Sequence, residues 1–219
     1  MNMLDNKQLS LLEGLHSTPA RRYLSTREIP KKIIWEILDA AIRGPSGGNR
    51  QQWSWIVVRD SSKKNRIAEW YLDGWNKAYG FKRNDILEGN DTTDTLGPKN
   101  YLSAEHLAKH IQEAPVWIFA VLRNASNSNS PRAGSSIYGA VQNLMLAARN
   151  RGIGSTLTTL YTGHENDVKK LLGIPKDGLT MALIPLGYPN KGKWSEPKRQ
   201  RVEDVTHWEY WGSQKEKNE

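Results

Sequence analysis

Apolar residues recur at the spacing of one helix face in six stretches of the chain. Residues three and four positions apart lie on the same side of an α-helix, so this period predicts helices. The predicted helices cover residues 4–15, 30–43, 61–81, 103–112, 135–149 and 163–172. The middle of the fifth, AVQNLMLAA at 140–148, is apolar on nearly every side. That pattern predicts a central helix that is covered on several faces.

Strands are predicted where short apolar runs lie between turn residues. Residues 54–59, 116–122 and 180–186 are predicted to be strands, and residues 153–159 a short strand or a strand-like turn. Helices and single strands therefore alternate along the chain, without a repeat or a second domain. This order indicates an α/β or α+β fold with a mixed sheet.

Two long polar segments, 84–100 and 124–132, show no period and are predicted to be loops. A loop as long as the first is commonly a lid or partly mobile. The segment 212–219 is predicted to be a disordered tail, which leaves residues 1–211 as a single domain. A chain of 219 residues is long enough to bury one good core.

The chain is basic, with 31 Lys and Arg against 23 Asp and Glu and a formal charge of +8. These charges are spread along the polar sides of the predicted helices, and no run is long enough for a basic arm. A solvated basic surface is therefore favoured over nucleic-acid binding. The charge also allows attraction of anionic small molecules such as phosphorylated cofactors.

The chain has no cysteine, which excludes disulfides, thiolate catalysis and cysteine metal sites. The N-terminal sequence does not have the pattern of a secretory signal, and no apolar run has membrane-spanning length. A cytoplasmic protein without a membrane partner is expected. The five histidines are scattered, and no spacing predicts a metal site. Neither a G-x-S-x-G elbow nor a G-x-G-x-x-G fingerprint is present.

The most distinctive polar segment is PSGGNRQQW at 45–53, directly before the first predicted strand. Pro45 ends the preceding helical pattern, and Gly47 and Gly48 allow a tight turn that a ligand can approach closely. By itself the segment suits either the edge of a cofactor site or an ordinary helix-to-strand loop. Trp53 is predicted to pack in the core.

Several pieces of sequence, in this order, resemble the FMN-dependent nitroreductase family. They are Arg21-Arg22-Tyr23, PSGGNRQQW at 45–53, AVQNLMLAARNRGIGS at 140–155, LLGIP at 171–175 with ALIPLGYP at 182–189, and the closing segment RQRVEDVTHWEYW at 199–211. The resemblance covers roughly residues 15 to 211. The sequence LTTL at 157–160 and the Trp-rich end look most like a largely uncharacterised bacterial subgroup.

The resemblance implies an α+β fold with a central mixed or antiparallel sheet flanked by helices, in an intertwined homodimer. FMN would lie at the dimer interface and take a hydride from NADH or NADPH. It would then reduce a small aromatic, quinone or nitro acceptor in the same pocket, by a ping-pong mechanism. The alternatives are specialised flavin chemistry, such as dehalogenation or dehydrogenation, and a non-enzymatic flavin-binding protein. The Glu, Tyr and Lys lid pattern of deiodinases is not found at 69–100.

The same resemblance implies which residues contact FMN, and it assigns no catalytic side chain. The phosphate is expected to bind Arg21, Arg22 and Arg199. Thr158 and Thr159 are expected to offer backbone N–H or hydroxyl groups to the flavin ring. The contacts made from the partner subunit are expected to come from Pro45, Ser46, Gly47, Asn49 and Gln51.

Two departures from the family pattern bear on FMN affinity. Ser17 and Thr18 stand where the family often carries another arginine, so either phosphate binding is weaker or another cation compensates. Gln52 replaces the usual proline, which would leave the 45–53 loop looser. Substrate choice is expected to lie in residues 65–112, where the pocket walls would be Trp70, Tyr71, Trp75, Tyr79 and Tyr101.

Overall fold

Four strands form one sheet at the centre of the computed structural model, which describes residues 9–90, 97–125 and 131–215. The strands are β1 Trp53–Val58, β2 Val116–Leu122, β3 Gly154–Ser155 and β4 Leu179–Gly187. Their order across the sheet is β1-β2-β4-β3, and each neighbouring pair is antiparallel. The sheet is therefore the antiparallel form of the expected α+β fold.

Helices cover both faces of this sheet. They are α1 Leu11–His16, α2 Lys31–Ala41, α3 Ser61–Ala78, α4 Arg83–Glu88, α5 Pro98–His110, α6 Tyr138–Asn150 and α7 Glu165–Leu172. α2 packs against α6 in one core, whereas α3 packs with α5 in a second core. Each of the six predicted helices overlaps one of these elements. The first begins only at Leu11, and its predicted part before residue 9 lies outside the described residues.

β2 lies in the middle of the sheet, and all of its residues are buried. Its side chains alternate between the two cores because successive residues of a strand point to opposite faces. Ile118 packs in the core with α2 and α6, whereas Trp117 and Phe119 pack in the core with α3 and α5. An unbroken apolar run was therefore the correct signal for a strand buried on both sides. Trp53, at the start of β1, is buried in the first core as predicted.

The region 84–100 was predicted to be a loop, and this prediction is wrong for the part that the structure describes. α4 begins at Arg83, and α5 begins at Pro98 rather than at residue 103. α4 buries only Ile86, so its six residues show no apolar period. Gly89, which follows the last residue of α4, has the left-handed backbone conformation, and Pro98 lies in the first turn of α5. Both residue types are common at these positions. Residues 91–96 lie outside the described ranges.

The segment 153–159, predicted to be a short strand or a strand-like turn, contains the two-residue strand β3 and is otherwise irregular backbone. Beyond β3, Thr158 makes a single antiparallel bridge to Leu183 of β4. An extended segment at 21–24 runs alongside, because the Arg21 N–H donates to Ser155 O at 2.8 Å and Leu24 bridges Pro189. These contacts bring residues 21–24 close to the segment 156–160.

Two other predicted segments are described only in part. Residues 126–130 of the predicted 124–132 loop and residues 216–219 of the predicted tail lie outside the described ranges, and a 3-10 helix begins at Pro131. Within the described ranges, none of the helices combines the length and the apolar character needed to cross a membrane.

Candidate functional site

A cavity of about 240 Å³ opens between α3, α5 and the backbone segment 156–160. Tyr71, Trp75 and Tyr79 form an aromatic wall, Thr158 and Thr159 line it, and Arg22 contributes a positive charge. A cavity with flat apolar walls and a few polar groups is typical of sites for small planar ligands. Three of the predicted cofactor-contacting residues, Arg22, Thr158 and Thr159, therefore lie together.

The shape of this cavity depends on the close approach of α3 to the backbone of residue 160. Gly74 faces the carbonyl of Leu160, and a Cβ added to Gly74 would lie 1.8 Å from that oxygen. Any larger residue would force α3 away from the segment 156–160. The absence of a side chain at residue 74 thus sets the distance between the aromatic wall and the threonines.

Arg22 is the unpaired cation of the cavity. Its half-buried guanidinium has no hydrogen-bond or ion-pair partner among residues 9–90, 97–125 and 131–215. Burial lowers the pKa of Arg22, and the nearby Tyr71 opposes this shift. A buried charge without a partner is unfavourable, so this position favours a ligand that supplies negative charge or carbonyl oxygens.

Arg21, the neighbouring arginine, is bound to the protein itself. Its terminal nitrogens donate to the backbone oxygens of Lys191, Gly192 and Lys193 at 2.6 to 2.9 Å. The guanidinium also lies 4.9 Å from the ring centre of Trp194. Arg21 does not line the cavity, since successive side chains of an extended segment point to opposite sides.

Arg149 is a buried cation that the sequence reasoning missed. This residue of α6 has its guanidinium 4.1 Å from the ring centre of Trp194, and it donates to the carbonyl oxygen and the hydroxyl of Ser17. Ser17 is one of the two positions where the family pattern would place an arginine. The guanidinium of Arg149 therefore reaches Ser17 from a distant helix, and nothing in the local sequence of α6 predicts this contact.

Tyr71 and Thr158 form a hydroxyl pair at the cavity wall, with 2.7 Å between Tyr71 Oη and Thr158 Oγ1. Burial raises the pKa of Tyr71 to about 12, and the hydrogen bond to Thr158 and the charge of Arg22 only partly oppose it. The phenol therefore stays protonated at neutral pH. The backbone N–H and carbonyl of Thr158 are both bonded to Leu183, so only its hydroxyl can reach a ligand.

Thr159 offers a different group from its neighbour. Its carbonyl accepts from the Thr162 N–H at 3.0 Å, while its own N–H has no hydrogen-bond partner in the described part of the chain. Thr159 is exposed and lines the cavity. Thr158 therefore presents its hydroxyl at the cavity, whereas Thr159 presents a backbone N–H that is unbonded among the described residues.

The loop 45–51 lies on the surface and does not line the cavity of its own chain. Its backbone is held by two side chains, since Gly47 N–H donates to Ser136 Oγ and Gln51 N–H donates to Ser46 Oγ. Gly48 has a φ of 59°, and Asn49 and Gln51 each have a φ of 51°. Left-handed backbone at non-glycine residues is uncommon and is concentrated at functional sites.

The other predicted residues lie away from the cavity lining. Arg199 is exposed and donates to Lys198 O.

Tyr101 is fully buried behind the wall, where its hydroxyl donates to Tyr79 O. Trp70 stacks on His164 instead of facing the cavity. The substrate wall expected from five aromatic residues is therefore reduced to Tyr71, Trp75 and Tyr79. The described residues contain no cluster suited to a metal ion.

Comparison with known proteins places this fold and cavity in a family. The model of the nitroreductase family matches residues 16–188. A Methanothermobacter thermautotrophicus protein named "Putative NADH dehydrogenase/NAD(P)H nitroreductase" is 26% identical over 184 residues, which cover 83% of this chain and 78% of that protein. An iodotyrosine deiodinase of Thermotoga neapolitana is 26% identical over 183 residues, covering 83% and 89% respectively.

A solved structure supports the same fold. The crystal structure of a nitroreductase with bound FMN from Desulfitobacterium hafniense superposes with a TM-score of 0.67 at 21% identity, covering 94% of this chain and 100% of that chain. Since the family match spans most of the sequence, the chain belongs to the nitroreductase family. The resemblance seen in the sequence motifs, and the α+β fold expected from it, are confirmed.

Proposed function

We propose that this chain is an FMN-dependent oxidoreductase that takes electrons from NADH or NADPH and reduces a small aromatic, quinone or nitro acceptor by a ping-pong mechanism. The observation that carries this proposal is Arg22, an unpaired guanidinium in a cavity with flat aromatic walls. This combination favours a planar ligand that carries carbonyl oxygens or negative charge. FMN has both features, and its binding in a related solved structure supports the assignment.

The donors of the cavity fit FMN. Arg22 would bind its carbonyl or phosphate oxygens, and the Thr158 hydroxyl and the Thr159 N–H would donate to acceptors of the ring. Bound FMN supplies the exchange of a hydride with the nicotinamide and of electrons with the acceptor. The chain binds and orients both substrates and excludes water with Tyr71, Trp75 and Tyr79. We assign no side chain as acid or base, because solvent can supply the protons.

Arg21 and Arg199 take different parts in this assignment. Arg199 is exposed and free to turn toward a phosphate. Both terminal nitrogens of Arg21 already donate to backbone oxygens, so we assign Arg21 to hold the segment that carries Arg22. The FMN phosphate would then rest mainly on Arg22 and Arg199.

A second copy of the chain would complete the site in a homodimer. The loop residues Pro45, Ser46, Gly47, Asn49 and Gln51 lie away from the cavity of their own chain and would contact the FMN of the partner. Large apolar side chains are also exposed, among them Leu11, Leu12, Trp35, Trp208, Tyr210 and Trp211. Exposed apolar surface of this extent is typical of an interface. Light scattering coupled to size-exclusion chromatography should give twice the chain mass.

The test of the function is the visible spectrum of the purified protein, followed by turnover assays. We expect a yellow protein with about one FMN per chain, and oxidation of NADH or NADPH that depends on added quinone or nitroaromatic compound. A protein that binds FMN without steady turnover would support a flavin-binding role instead. A colourless protein that does not take up added FMN would refute the proposal.

Reductive dehalogenation is a second candidate, because one of the related proteins is an iodotyrosine deiodinase that matches most of this chain. The same cavity would then bind a halogenated phenol against Tyr71, Trp75 and Tyr79. Release of iodide from 3-iodotyrosine with a reductant, measured beside nitroaromatic and quinone reduction, separates the two. Iodide release with a kcat/KM above that for the other acceptors would make dehalogenation the main activity.

A further inference from the structure

The hydroxyl of Tyr71 lies at the wall of the cavity but has no part in the function proposed above. The residue is 2% exposed, on the face of α3 that packs toward the segment 156–160. Thr158 Oγ1, at 2.7 Å, is its hydrogen-bond partner, and the described residues provide no other. Tyrosine is not required merely to fill this position, since phenylalanine would pack the same ring.

The direction of this hydrogen bond follows from the surroundings of the two hydroxyls. If Thr158 donated to Tyr71, the buried phenol proton would have no acceptor, which costs about 1 to 3 kcal/mol. If Tyr71 donates to Thr158, the phenol is satisfied and the Thr158 proton turns toward the cavity. Burial keeps the pKa of Tyr71 near 12, so the phenol proton is present at every physiological pH. Tyr71 is therefore the donor.

The backbone of Thr158 is fixed, so only its hydroxyl can change orientation. Its backbone N–H and carbonyl both bond to Leu183, at 3.0 and 2.9 Å, which fixes the backbone to β4. Thr158 is half-exposed and lines the cavity together with Arg22, whose charge also acts on Tyr71. Once its lone pair accepts from Tyr71, the hydroxyl proton has only the cavity to point into. Such chains of hydrogen bonds strengthen the terminal donor.

We propose that Tyr71 is a positioning residue that fixes the Thr158 hydroxyl as a hydrogen-bond donor to the redox-active ring of the bound cofactor. The inference rests on the proposed FMN-dependent function and adds a residue that sets the reduction potential. Two-electron reduction places a proton on N5 of the flavin and leaves negative charge shared with its carbonyl oxygens, so a fixed donor to one of these oxygens stabilises the reduced ring more than the oxidised ring. Without Tyr71 the Thr158 hydroxyl can turn and serve as an acceptor as well.

The expected effect is a change in the equilibrium between oxidised and reduced FMN. The loss of one oriented hydrogen bond should lower the equilibrium constant for two-electron reduction about fivefold. For a two-electron couple this corresponds to a midpoint potential about 20 mV more negative. The packing of the wall should change little in Tyr71→Phe, because the ring remains.

The experiment is to measure the midpoint potential and the visible spectrum of bound FMN in four variants and one control variant. Tyr71→Phe and Thr158→Val should each shift the potential to more negative values, and the double variant should shift it no further than the larger single change. Thr158→Ser, which keeps the hydroxyl, should retain the wild-type potential. The matched control is Tyr101→Phe, which removes a buried tyrosine hydroxyl outside the cavity lining.

Three results would overturn the proposal. An unchanged potential in Tyr71→Phe, with only a lower melting temperature, would make the pair purely structural. Additive shifts in the double variant would show that the two hydroxyls act separately. A wild-type protein that binds no FMN would reject the proposed function together with this inference, and it would be recognised before any variant is made.

Discussion

Two neighbouring arginines in the same extended segment have opposite surroundings. Arg21 is 9% exposed, donates to three backbone oxygens and packs beside Trp194. Arg22 lines the cavity and has no hydrogen-bond or ion-pair partner in the described ranges. The first arginine is part of the framework, whereas the second is available to a ligand.

Arg21 and Arg22 show that a side chain available to a ligand is one without hydrogen-bond or ion-pair partners in the described part of its own chain. Arg21 is satisfied by the turn at 191–193, so removing it damages the folded state. Arg22 carries the cost of burial without a compensating contact among the described residues, which favours the proposed role in binding a ligand. The two regions around them, the Arg21–Trp194–Arg149 cluster and the cavity, should therefore respond differently to substitution.

The largest effect is expected at Gly74, which sets the width of the cavity beside Arg22. A Cβ there would lie 1.8 Å from Leu160 O, so Gly74→Ala must displace either α3 or the segment 156–160. We expect a loss of about 3 kcal/mol or more in the free energy of unfolding, measured by urea denaturation. Gly163→Ala, which meets nothing within 4 Å, is the matched control and should change stability by less than about 0.5 kcal/mol.

Arg21→Gln should have the next largest effect. It removes the charged hydrogen bonds to residues 191–193 and leaves their carbonyls without a partner. We expect a loss of about 2 to 3 kcal/mol in the free energy of unfolding, measured in the absence of FMN. An unchanged stability would mean that the cluster around Trp194 is not part of the framework.

Arg22→Gln should give the opposite pattern, with loss of FMN affinity and no loss of stability, because it removes a buried charge that has no partner among the described residues. A charged hydrogen bond contributes about 1.5 to 3 kcal/mol, so the Kd for FMN should rise about 10- to 100-fold. Fluorescence titration of the apoprotein measures the Kd, and urea denaturation without FMN should give a free energy of unfolding equal to or higher than that of wild type. If Arg21→Gln instead weakened FMN binding more than Arg22→Gln, the assignment of the two arginines would be reversed.

The smallest effect is expected at alkaline pH, through Tyr71. Burial raises the pKa of Tyr71 from 10.0 to about 12, so the folded state holds a proton that the unfolded chain releases above pH 10. The contribution of Tyr71 to the free energy of unfolding is at its full value below pH 10 and falls as the pH rises toward 12. About 1.4 kcal/mol should be lost by about pH 11. Urea denaturation of Tyr71→Phe should lack this part of the alkaline decline, and an identical decline would contradict the assignment.

Much of the fold could be predicted because its signals are local. The apolar run of β2 and the apolar face of α2 were read from residues a few positions apart, and each is buried as expected. α4 escaped prediction because one buried residue, Ile86, gives no period. The segment 153–159 was predicted as a short strand or a strand-like turn, and its backbone pairs with β4 only at Gly154, Ser155 and Thr158.

The candidate site was predictable only as a set of segments. The motifs indicated residues 21–22, 45–53 and 157–160, but they did not separate Arg21 from Arg22 or assign the hydroxyl to Thr158 and the free N–H to Thr159. Arg149 and its contact with Ser17 left no sequence signal at all. Each of these features depends on contacts between residues far apart in the chain.

The sequence by itself determined the alternation of helices and single strands, the family and the segments predicted to contact the cofactor, because periodicity and motifs are properties of neighbouring residues. The tertiary structure alone decided which side chains meet. The bridges Leu24 to Pro189 and Thr158 to Leu183 fix two irregular segments against the sheet and so orient Arg22 and Thr158 toward one cavity. Such pairings join residues distant in sequence, and the local pattern carries no information about them.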